Sequence, residues 1–392
     1  MTGRKRILYT AFDSVPGPKG ASTHISYFLR ALTGAGYDVT AVTVRDGDQP
    51  AQEEYCGAQI LRVAVSHLPS FPKRANAFAD TVLSQLDATP YDIVHCRSLW
   101  DIHRLVGLRL PGKLIYEVNG LPSVELKYRY PAVSESDLPQ RLRQQESTVL
   151  SAVDAVFCPS QVTKTFLQDL GAPSDRLYVI PNGVDPSLFK PSVGADLANH
   201  PTRERPTKLL YVGTFAGWQG LDTLVAALPH LRKRGVRLRL IGKTTGRWRK
   251  TLLKQAQRLG VDDLVAIDEP LEYYNIPTAV RQSDICLAPL AYCDRNVVQG
   301  CCPIKMLEYM ACAKPVVAAN LPVVRELVRD GVDALLFEAN DPRDLARQVA
   351  VLIDDRDLAW RIAQSGRQRA LSFTWQRAQQ RLLAVYVQLL GE

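Results

Sequence analysis

The chain of 392 residues has no run of about 20 apolar residues, the length that a transmembrane helix requires. Its N-terminus passes from the basic residues Arg4, Lys5 and Arg6 into an apolar run that is too short for a secretory signal, and no small-residue cleavage site follows it. These absences argue against an integral membrane or secreted protein. They predict a cytoplasmic protein with at most peripheral contact with the inner membrane face.

Cysteine is present in eight copies, but no Cys-x-x-Cys pair occurs. Five of the eight fall between Cys286 and Cys312, and that stretch contains no histidine. Structural zinc usually requires such paired spacing, so no metal site is predicted. Buried, reduced thiols that pack as small apolar groups account for these cysteines better.

Excess charge is confined to the second half of the chain. Up to Lys190, 20 lysines and arginines face 19 acidic residues, and beyond it 28 face 21, within a net charge of +8. Much of the excess lies between Arg232 and Arg258. A basic surface suits phosphorylated ligands, nucleic acid or anionic lipid, whereas a solvated basic helix face is an equally good explanation. No nucleic-acid recognition motif accompanies it, so no nucleic-acid partner is predicted.

Apolar runs alternate with helical patterns along both halves of the chain. This alternation predicts two doubly wound parallel α/β domains, because strands buried on both faces read as continuous apolar runs. The predicted boundaries are 1–190 and 208–371, with the polar, proline-bearing segment 191–207 as linker. The predicted strands are 6–12, 38–44, 92–96, 113–118, 154–160 and 177–183 in the first half, and 208–213, 237–242, 263–268, 284–290 and 315–320 in the second.

Two such domains would face each other across a cleft, with ligands at the carboxyl ends of the strands. One segment, 121–146, is long and polar for a connection between a strand and a helix. Loops of this length are often lids or binding segments, and a partly helical surface excursion is an equally good interpretation.

Two segments carry residue types suited to a phosphorylated ligand. The loop 16–22 is rich in glycine and ends in a predicted helix, where Gly20 would let the backbone approach an anion, although a plain tight turn also explains it. Further along, Lys305 and Glu308 share one face of a predicted helix. They could form a simple intrahelical ion pair. Alternatively, Lys305 binds a phosphate and Glu308 accepts hydrogen bonds from a ribose diol.

Several segments in order along the chain resemble the retaining glycosyltransferases of sequence family 4, which have the GT-B fold. The resemblance rests on the glycine loop, on DIVH (92–95), FCPS (157–160), IPNGVD (180–185) and YVG followed by GLDTLVAAL, and on EYMACAKPVV with RELVRDG. The fold it implies is that of two Rossmann-like domains, with the acceptor on the N-terminal one and the donor on the C-terminal one. It also implies that the C-terminal helix 372–392 packs back on the first domain.

Departures from the family pattern fall at its charged positions. Most relatives hold the donor diphosphate with Arg and Lys where this chain has Thr214 and Gln219. The first of two glutamates is replaced by Gly300, and the usual histidine by Asn119. Lys305 stands where many relatives have an uncharged residue, so we expect it to restore the lost charge. This pattern resembles a sub-branch with Pro-x-Lys before the remaining glutamate.

The resemblance assigns the site residues by position. Catalytic roles fall to Lys305, Asn119 and His95, although His95 is equally well explained as a structural histidine. Acceptor-side roles fall to Arg97, Glu117 and Glu125. Lys243 could be a second cation, with a surface lysine as the favoured alternative, and Glu326 could bind sugar hydroxyls or cap a helix. The predicted donor-binding residues are Gly20, Gly213, Thr214, Gln219, Lys243, Lys305, Met306, Leu307, Glu308 and Glu326.

The implied reaction transfers a sugar from a nucleoside diphosphate, with UDP preferred over GDP, without a metal or other cofactor. Two alternatives stay open: a non-catalytic nucleotide-sugar-binding subunit and a GT-B nucleotide-sugar epimerase. The acceptor is not identified. A lipid-linked acceptor could face the basic-aromatic stretches 71–78 and 126–131, although ordinary loops explain these stretches better, and a small-molecule acceptor fits equally well.

Overall fold

The computed structural model describes residues 4–192, 205–244 and 246–392. They form two compact units. The first comprises the described residues up to Gly17, Ala21–Pro181 and Ala378–Glu392, and the second comprises Pro18–Gly20 and Asn182–Arg377. Of the predicted linker 191–207, residues 193–204 lie outside the described residues.

The first unit is built around an eight-stranded sheet of order β3-β4-β2-β1-β5-β6-β7-β8. All neighbouring strands run parallel except β3 and β4, which form an antiparallel pair. The elements are β1 (Arg6–Ser14), α1 (Gly20–Gly34), β2 (Asp38–Val44), β3 (Gln52–Tyr55), β4 (Ala58–Val63), α2 (Phe71–Ala88), β5 (Ile93–Cys96), α3 (Leu99–Leu105), β6 (Lys113–Glu117), α4 (Pro122–Arg129), α5 (Leu138–Ala152), β7 (Ala155–Cys158), α6 (Gln161–Asp169) and β8 (Leu177–Val179).

The second unit is built around a six-stranded parallel sheet of order β11-β10-β9-β12-β13-β14. Its elements are β9 (Thr207–Val212), α7 (Leu221–Leu231), β10 (Val236–Ile241), α8 (Gly246–Arg258), β11 (Val265–Asp268), α9 (Ile276–Arg281), β12 (Ile285–Ala288), α10 (Ile304–Ala311), β13 (Val316–Ala319), α11 (Pro322–Arg325), β14 (Leu335–Phe337), α12 (Pro342–Asp354) and α13 (Arg356–Ala370). The last helix, α14 (Trp375–Leu390), begins in the second unit, and its residues from Ala378 onward belong to the first.

The predicted fold class, two doubly wound α/β domains with parallel sheets, is confirmed. The short central strands β5, β7, β12 and β13 are buried along their whole length, as expected when helices cover both faces of a sheet. Chain order reverses at β1, which lies between β2 and β5, and at β9, which lies between β10 and β12. In open α/β sheets such reversal points mark where ligands bind, at the carboxyl ends of the strands.

Three strands were not predicted: the pair β3 and β4, and the three-residue strand β14. The sequence of β3, QEEY, lacks an apolar run, and β14 is too short to show periodicity. The long segment 121–146 is mostly helical, because α4 and the start of α5 occupy it. No described helix is both long and apolar enough to cross a bilayer.

Candidate functional site

Two glycine turns pack backbone to backbone at the carboxyl edge of the second sheet. Gly213 follows β9, and its N–H donates to Ile241 O at 2.9 Å. A β-carbon added to Gly242, which follows β10, would lie 1.9 Å from Gly213 O. One added to Gly213 would lie 2.7 Å from Lys305 Nζ. A side chain at Gly242 would collide with backbone, one at Gly213 would displace Lys305, and the lysine ammonium therefore lies beside the Gly213 turn.

Lys305 is held over this turn by three contacts. Its Nζ donates to Gln219 Oε1 at 2.6 Å and to Tyr211 Oη at 2.9 Å, and it lies 4.0 Å from the centroid of the Tyr211 ring. Tyr211 Oη in turn donates to Thr214 O at 2.8 Å. The predicted residues Gly213, Thr214, Gln219 and Lys305 thus come together around Tyr211. No sequence pattern singles out Tyr211, which looks like one more buried residue of a strand.

Burial lowers the pKa of the Lys305 ammonium to about 7, with a smaller contribution from Arg295 in the same direction. Cys301 and Glu308 oppose this effect only in part. A lysine near neutral pKa can take up a proton when an anion binds beside it. The site is therefore suited to accept negative charge that the protein alone does not balance.

Glu308 lies one turn further along α10 and is 5% exposed. Burial raises the pKa of its carboxyl group to about 8, although Lys305 opposes the rise. No hydrogen bond to the carboxyl group is found within the ranges 4–192, 205–244 and 246–392, and Lys305 is the group that opposes the effect of its burial. The side chains of Met306 and Leu307 are fully buried, so only their backbone atoms could contact a ligand.

The loop that carries Thr214 and Gln219 is fixed by the segment that follows β12. The buried Asn296, in a π-helical turn over Arg295–Gln299, donates through Nδ2 to Trp218 O at 2.7 Å. The Arg295 guanidinium lies 5.3 Å from the Trp218 ring centroid. Gly220 has a φ of +66°, and a β-carbon there would lie 2.0 Å from Pro289 O. The loop is therefore held in one conformation by contacts that no motif in the sequence indicated.

Three other predicted donor residues lie outside the cluster formed by Tyr211, Gly213, Thr214, Gln219 and Lys305. The side chain of Lys243 is exposed, and its carbonyl accepts from Phe215 N at 3.2 Å. Glu326 follows α11 and is close enough to contribute, after burial and Cys301, to the raised pKa of the Cys302 thiol. Gly20 is the first residue of α1 and is grouped with the second unit.

In the basic stretch from Arg232 to Arg258, four arginines pair with acidic side chains of the second unit. The ion pairs are Arg232–Asp263, Arg234–Asp354, Arg239–Asp268 and Arg249–Glu269. This pairing favours a solvated basic surface over a dedicated anion-binding one.

A second cluster lies at the carboxyl edge of the first sheet and surrounds Glu117, the last residue of β6. Glu117 is 3% exposed. Its Oε1 accepts from Arg97 Nε at 2.9 Å and from the side-chain amide of Asn119. Its Oε2 accepts from Tyr9 Oη at 2.9 Å. Predicted residues from β5 and β6 thus converge on one carboxylate.

Two histidines complete this Glu117 cluster. His24 Nε2 lies 2.8 Å from Oε1, and His95 Nε2 lies 3.1 Å from Oε2. Burial alone would raise the pKa of Glu117, but Arg97, His24 and the hydrogen bonds hold it well below its usual range. The carboxylate is therefore ionised. His24 and Tyr9 were not predicted, because isolated polar residues in a helix and in a strand carry no motif.

The remaining acceptor-side residue, Glu125, lies against the turn that carries Asn119. A β-carbon at Gly120 would lie 2.3 Å from Glu125 Oε1. The start of α4 is fixed by Glu146 of α5, which accepts from Ser123 N at 2.8 Å and from Ser123 Oγ at 2.5 Å. The two ends of the segment 121–146 are thus joined to each other, and Glu125 lies beside the turn that follows β6.

Comparisons with known proteins agree with this architecture. Residues 18–188 match the family model described as Glycosyltransferase Family 4, and residues 206–355 match the model described as Glycosyl transferases group 1. A D-inositol 3-phosphate glycosyltransferase of Xylanimonas cellulosilytica is 27% identical over 396 residues, covering 94% of this chain and 91% of the relative.

Solved structures share the fold over nearly the whole chain. Sucrose-phosphate synthase from Thermosynechococcus elongatus superposes with a TM-score of 0.84 at 18% identity, covering 99% of this chain and all of that one. The Anabaena HepE protein in complex with UDP-glucose gives a TM-score of 0.77 at 18% identity, covering 98% and 99%. The two doubly wound units therefore define a GT-B fold. The chain belongs to the glycosyltransferases, with one of the two family models matching each half.

Proposed function

We propose that the protein is a retaining glycosyltransferase that moves a sugar from a nucleoside diphosphate, UDP rather than GDP, to an acceptor that is still to be identified. The observation that carries the proposal is the position of Lys305. Its ammonium lies against Gly213 at the end of β9, beside Thr214 and Gln219, where most members of the resembled family place an Arg and a Lys. A single cation from α10 replaces the pair.

Departure of a nucleoside diphosphate leaves negative charge that the protein must stabilise as the anomeric carbon becomes cationic. Lys305 would contact the diphosphate oxygens. The N–H groups of the first turn of α10, which begins at Ile304, would add their partial positive charge. Thr214 and Gln219 would orient the same oxygens through neutral hydrogen bonds. The reaction would then need no metal, and turnover should be unchanged by a chelator.

Glu308 would bind the ribose of the donor. Its buried carboxyl group has no hydrogen-bond partner among the described residues, and a vicinal diol offers two donors to one carboxyl group. A carboxyl group whose pKa is raised by burial also repels a neighbouring diphosphate less than an ionised one would. Lys243 and Glu326 would lie at the edges of the donor site.

The Glu117 cluster would serve the transferred sugar or the acceptor. Asn119 and Arg97 both donate to Glu117, so their orientation is fixed before any substrate binds. Glu125 beside Gly120 would bound the acceptor side. The HepE complex with UDP-glucose supports UDP as the first nucleotide to test. A lipid-linked acceptor would require peripheral contact with the cytoplasmic membrane face, and a small-molecule acceptor would not.

A thermal-shift screen of nucleoside diphosphates and their sugars tests the proposal. Stabilisation by UDP and a UDP-sugar, followed by transfer with the α-anomeric configuration retained in the product spectrum, would support it. Conversion of the donor to its epimer would instead identify an epimerase. The replacement of the usual Arg–Lys pair also fits a non-catalytic binder, and donor binding without hydrolysis or transfer in any acceptor screen would identify one.

The affinity for a UDP-sugar is expected to fall as pH rises above about 7. Lys305 must be protonated in the complex, and its pKa in the free protein is lowered to about 7 by burial, so binding at higher pH requires proton uptake. The phosphates of a UDP-sugar do not titrate in this range, so the dependence reports on the protein. Calorimetry in two buffers of different ionisation enthalpy would measure the uptake. A pH-independent affinity from 6 to 9 would contradict the placement of Lys305 at the diphosphate.

A further inference from the structure

The C-terminal helix α14 reaches the Glu117 cluster through one histidine. The Tyr386 hydroxyl lies 2.7 Å from His95 Nδ1, and the opposite ring nitrogen, Nε2, lies 3.1 Å from Glu117 Oε2. All three side chains are almost completely buried, and all three belong to the first unit. A hydroxyl on a C-terminal helix is thereby connected to the carboxylate that holds Asn119 and Arg97.

The series formed by Tyr386, His95 and Glu117 allows one arrangement of its protons. Burial lowers the pKa of His95, so its imidazole is neutral and carries a single N–H. Glu117 is ionised and can only accept, so the single N–H is on Nε2, which lies 3.1 Å from Oε2 without regular hydrogen-bond geometry. His95 Nδ1 is then an acceptor. The Tyr386 hydroxyl, whose pKa burial raises well above its usual value, keeps its proton and donates to Nδ1.

The other charged and titratable groups around His95 agree with this arrangement. Arg97 comes directly after β5, His24 projects from α1, and Tyr9 of β1 has its ring centroid 4.6 Å from the imidazole. Arg97 and His24 both disfavour a second proton on His95. The Tyr9 hydroxyl already donates to Glu117. Of these described groups around His95, the Tyr386 hydroxyl is the one positioned to donate a hydrogen bond to Nδ1.

We propose that Tyr386 and His95 are positioning residues of the transferase. Tyr386 fixes the imidazole plane of His95, His95 fixes Glu117, and Glu117 fixes the side chains of Asn119 and Arg97 that face the sugar or acceptor. The inference rests on the proposed function for the role of Asn119. It goes further, because it makes the docking of α14 a condition for an ordered site in the first unit.

Tyr386→Phe removes this donor and keeps the ring that packs 5.9 Å from Tyr37. We expect it to shift the ¹⁵N resonance of His95 Nδ1 toward that of a non-bonded imine, and to move the side-chain amide resonance of Asn119, identified by its loss in Asn119→Ala. Tyr37→Phe is the matched control, because it removes a hydroxyl from the neighbouring ring. Unmoved resonances in Tyr386→Phe, or equal shifts in Tyr37→Phe, would overturn the proposal.

Kinetics supply a second measurement. For hydrolysis of a UDP-sugar, Tyr386→Phe is expected to lower kcat about tenfold at unchanged donor KM, and to have no further effect when Asn119 is already alanine. An equal loss of kcat in both backgrounds would show a merely structural role and contradict the proposal. If the wild-type protein binds no UDP-sugar, the proposed function fails, and the resonances of His95 and Asn119 still decide the inference.

Discussion

Replacement of Lys305 by methionine is expected to weaken binding of UDP and UDP-sugars about 10- to 100-fold, the range for loss of a charge-assisted contact of roughly 1.5–3 kcal/mol. The ammonium lies beside the Gly213 turn, and Gln219 and Tyr211 orient it. Methionine keeps the unbranched chain over the Tyr211 ring and removes the charge alone. Titration calorimetry would measure the loss.

The same substitution separates a binding defect from a folding defect. Burial disfavours the charge of Lys305, so the methionine variant without ligand should unfold at the same temperature as the wild type or higher. Lys250→Met, in the exposed part of α8, is the control, because it makes the same change in net charge away from the site.

We expect Glu308→Ala and Lys305→Ala each to weaken donor binding. Unchanged donor affinity in both alanine variants would contradict the site assignment.

Most of the fold could be predicted because strands buried on both faces appear in a sequence as short, continuous apolar runs. The apolar runs at 38–44 and 113–118 correspond to β2 and β6 almost residue for residue. The antiparallel strand β3 could not be predicted, since its residues QEEY pair at a sheet edge with half their side chains in solvent. The position of β3 is set by its pairing with β4, and the sequence of one strand alone carries little information about such a pairing.

The residues of the proposed donor site could be named from the sequence, but their geometry could not. Thr214 and Gln219 stand out because they depart from the family pattern. Lys305 stands out because its charge could compensate for the missing Arg and Lys. All three residues meet at Tyr211 because of how β9 and α10 are placed relative to each other. No local sequence pattern contains that information. The role of Asn296 could not be predicted for the same reason. This residue is buried in a π-helical turn and binds the carbonyl of Trp218, which is 78 residues away in the sequence.

The acceptor-side residues needed the largest reinterpretation. Glu117 is assigned to the acceptor side by the resemblance, and because it is buried and accepts from Arg97 and Asn119, a substrate at the proposed site would meet those two residues first. His95 was equally well explained as structural or catalytic. Its place between Tyr386 and Glu117 makes it part of the support for the site. Tyr386 is 291 residues away from His95 in the chain, a separation at which sequence periodicity says nothing.

Replacement of Glu117 by alanine is expected to be the most destabilising single substitution in the first unit. It would leave Arg97, a buried cation, and the hydroxyl of Tyr9 without their shared acceptor. Removal of one partner from a buried ion pair costs about 3–5 kcal/mol. For a unit of this size that corresponds to a fall of roughly 10 °C in the melting temperature. Differential scanning calorimetry would measure it, with activity lost in the fraction that remains folded.

The pH dependence distinguishes loss of this carboxylate from a cavity effect. The pKa of Glu117 is held well below 4.5 in the folded protein, so its contribution to stability is complete above the unfolded-state value and disappears as pH falls through the folded one. Glu117→Gln nearly keeps the volume but cannot ionise, so its deficit relative to wild type should shrink steadily below about pH 4. Asp80→Ala, which breaks an exposed pair with Arg104, should cost at most about 1 kcal/mol. A deficit of Glu117→Gln that stays constant from pH 7 to 3 would mean that the carboxylate charge does not hold the cluster together.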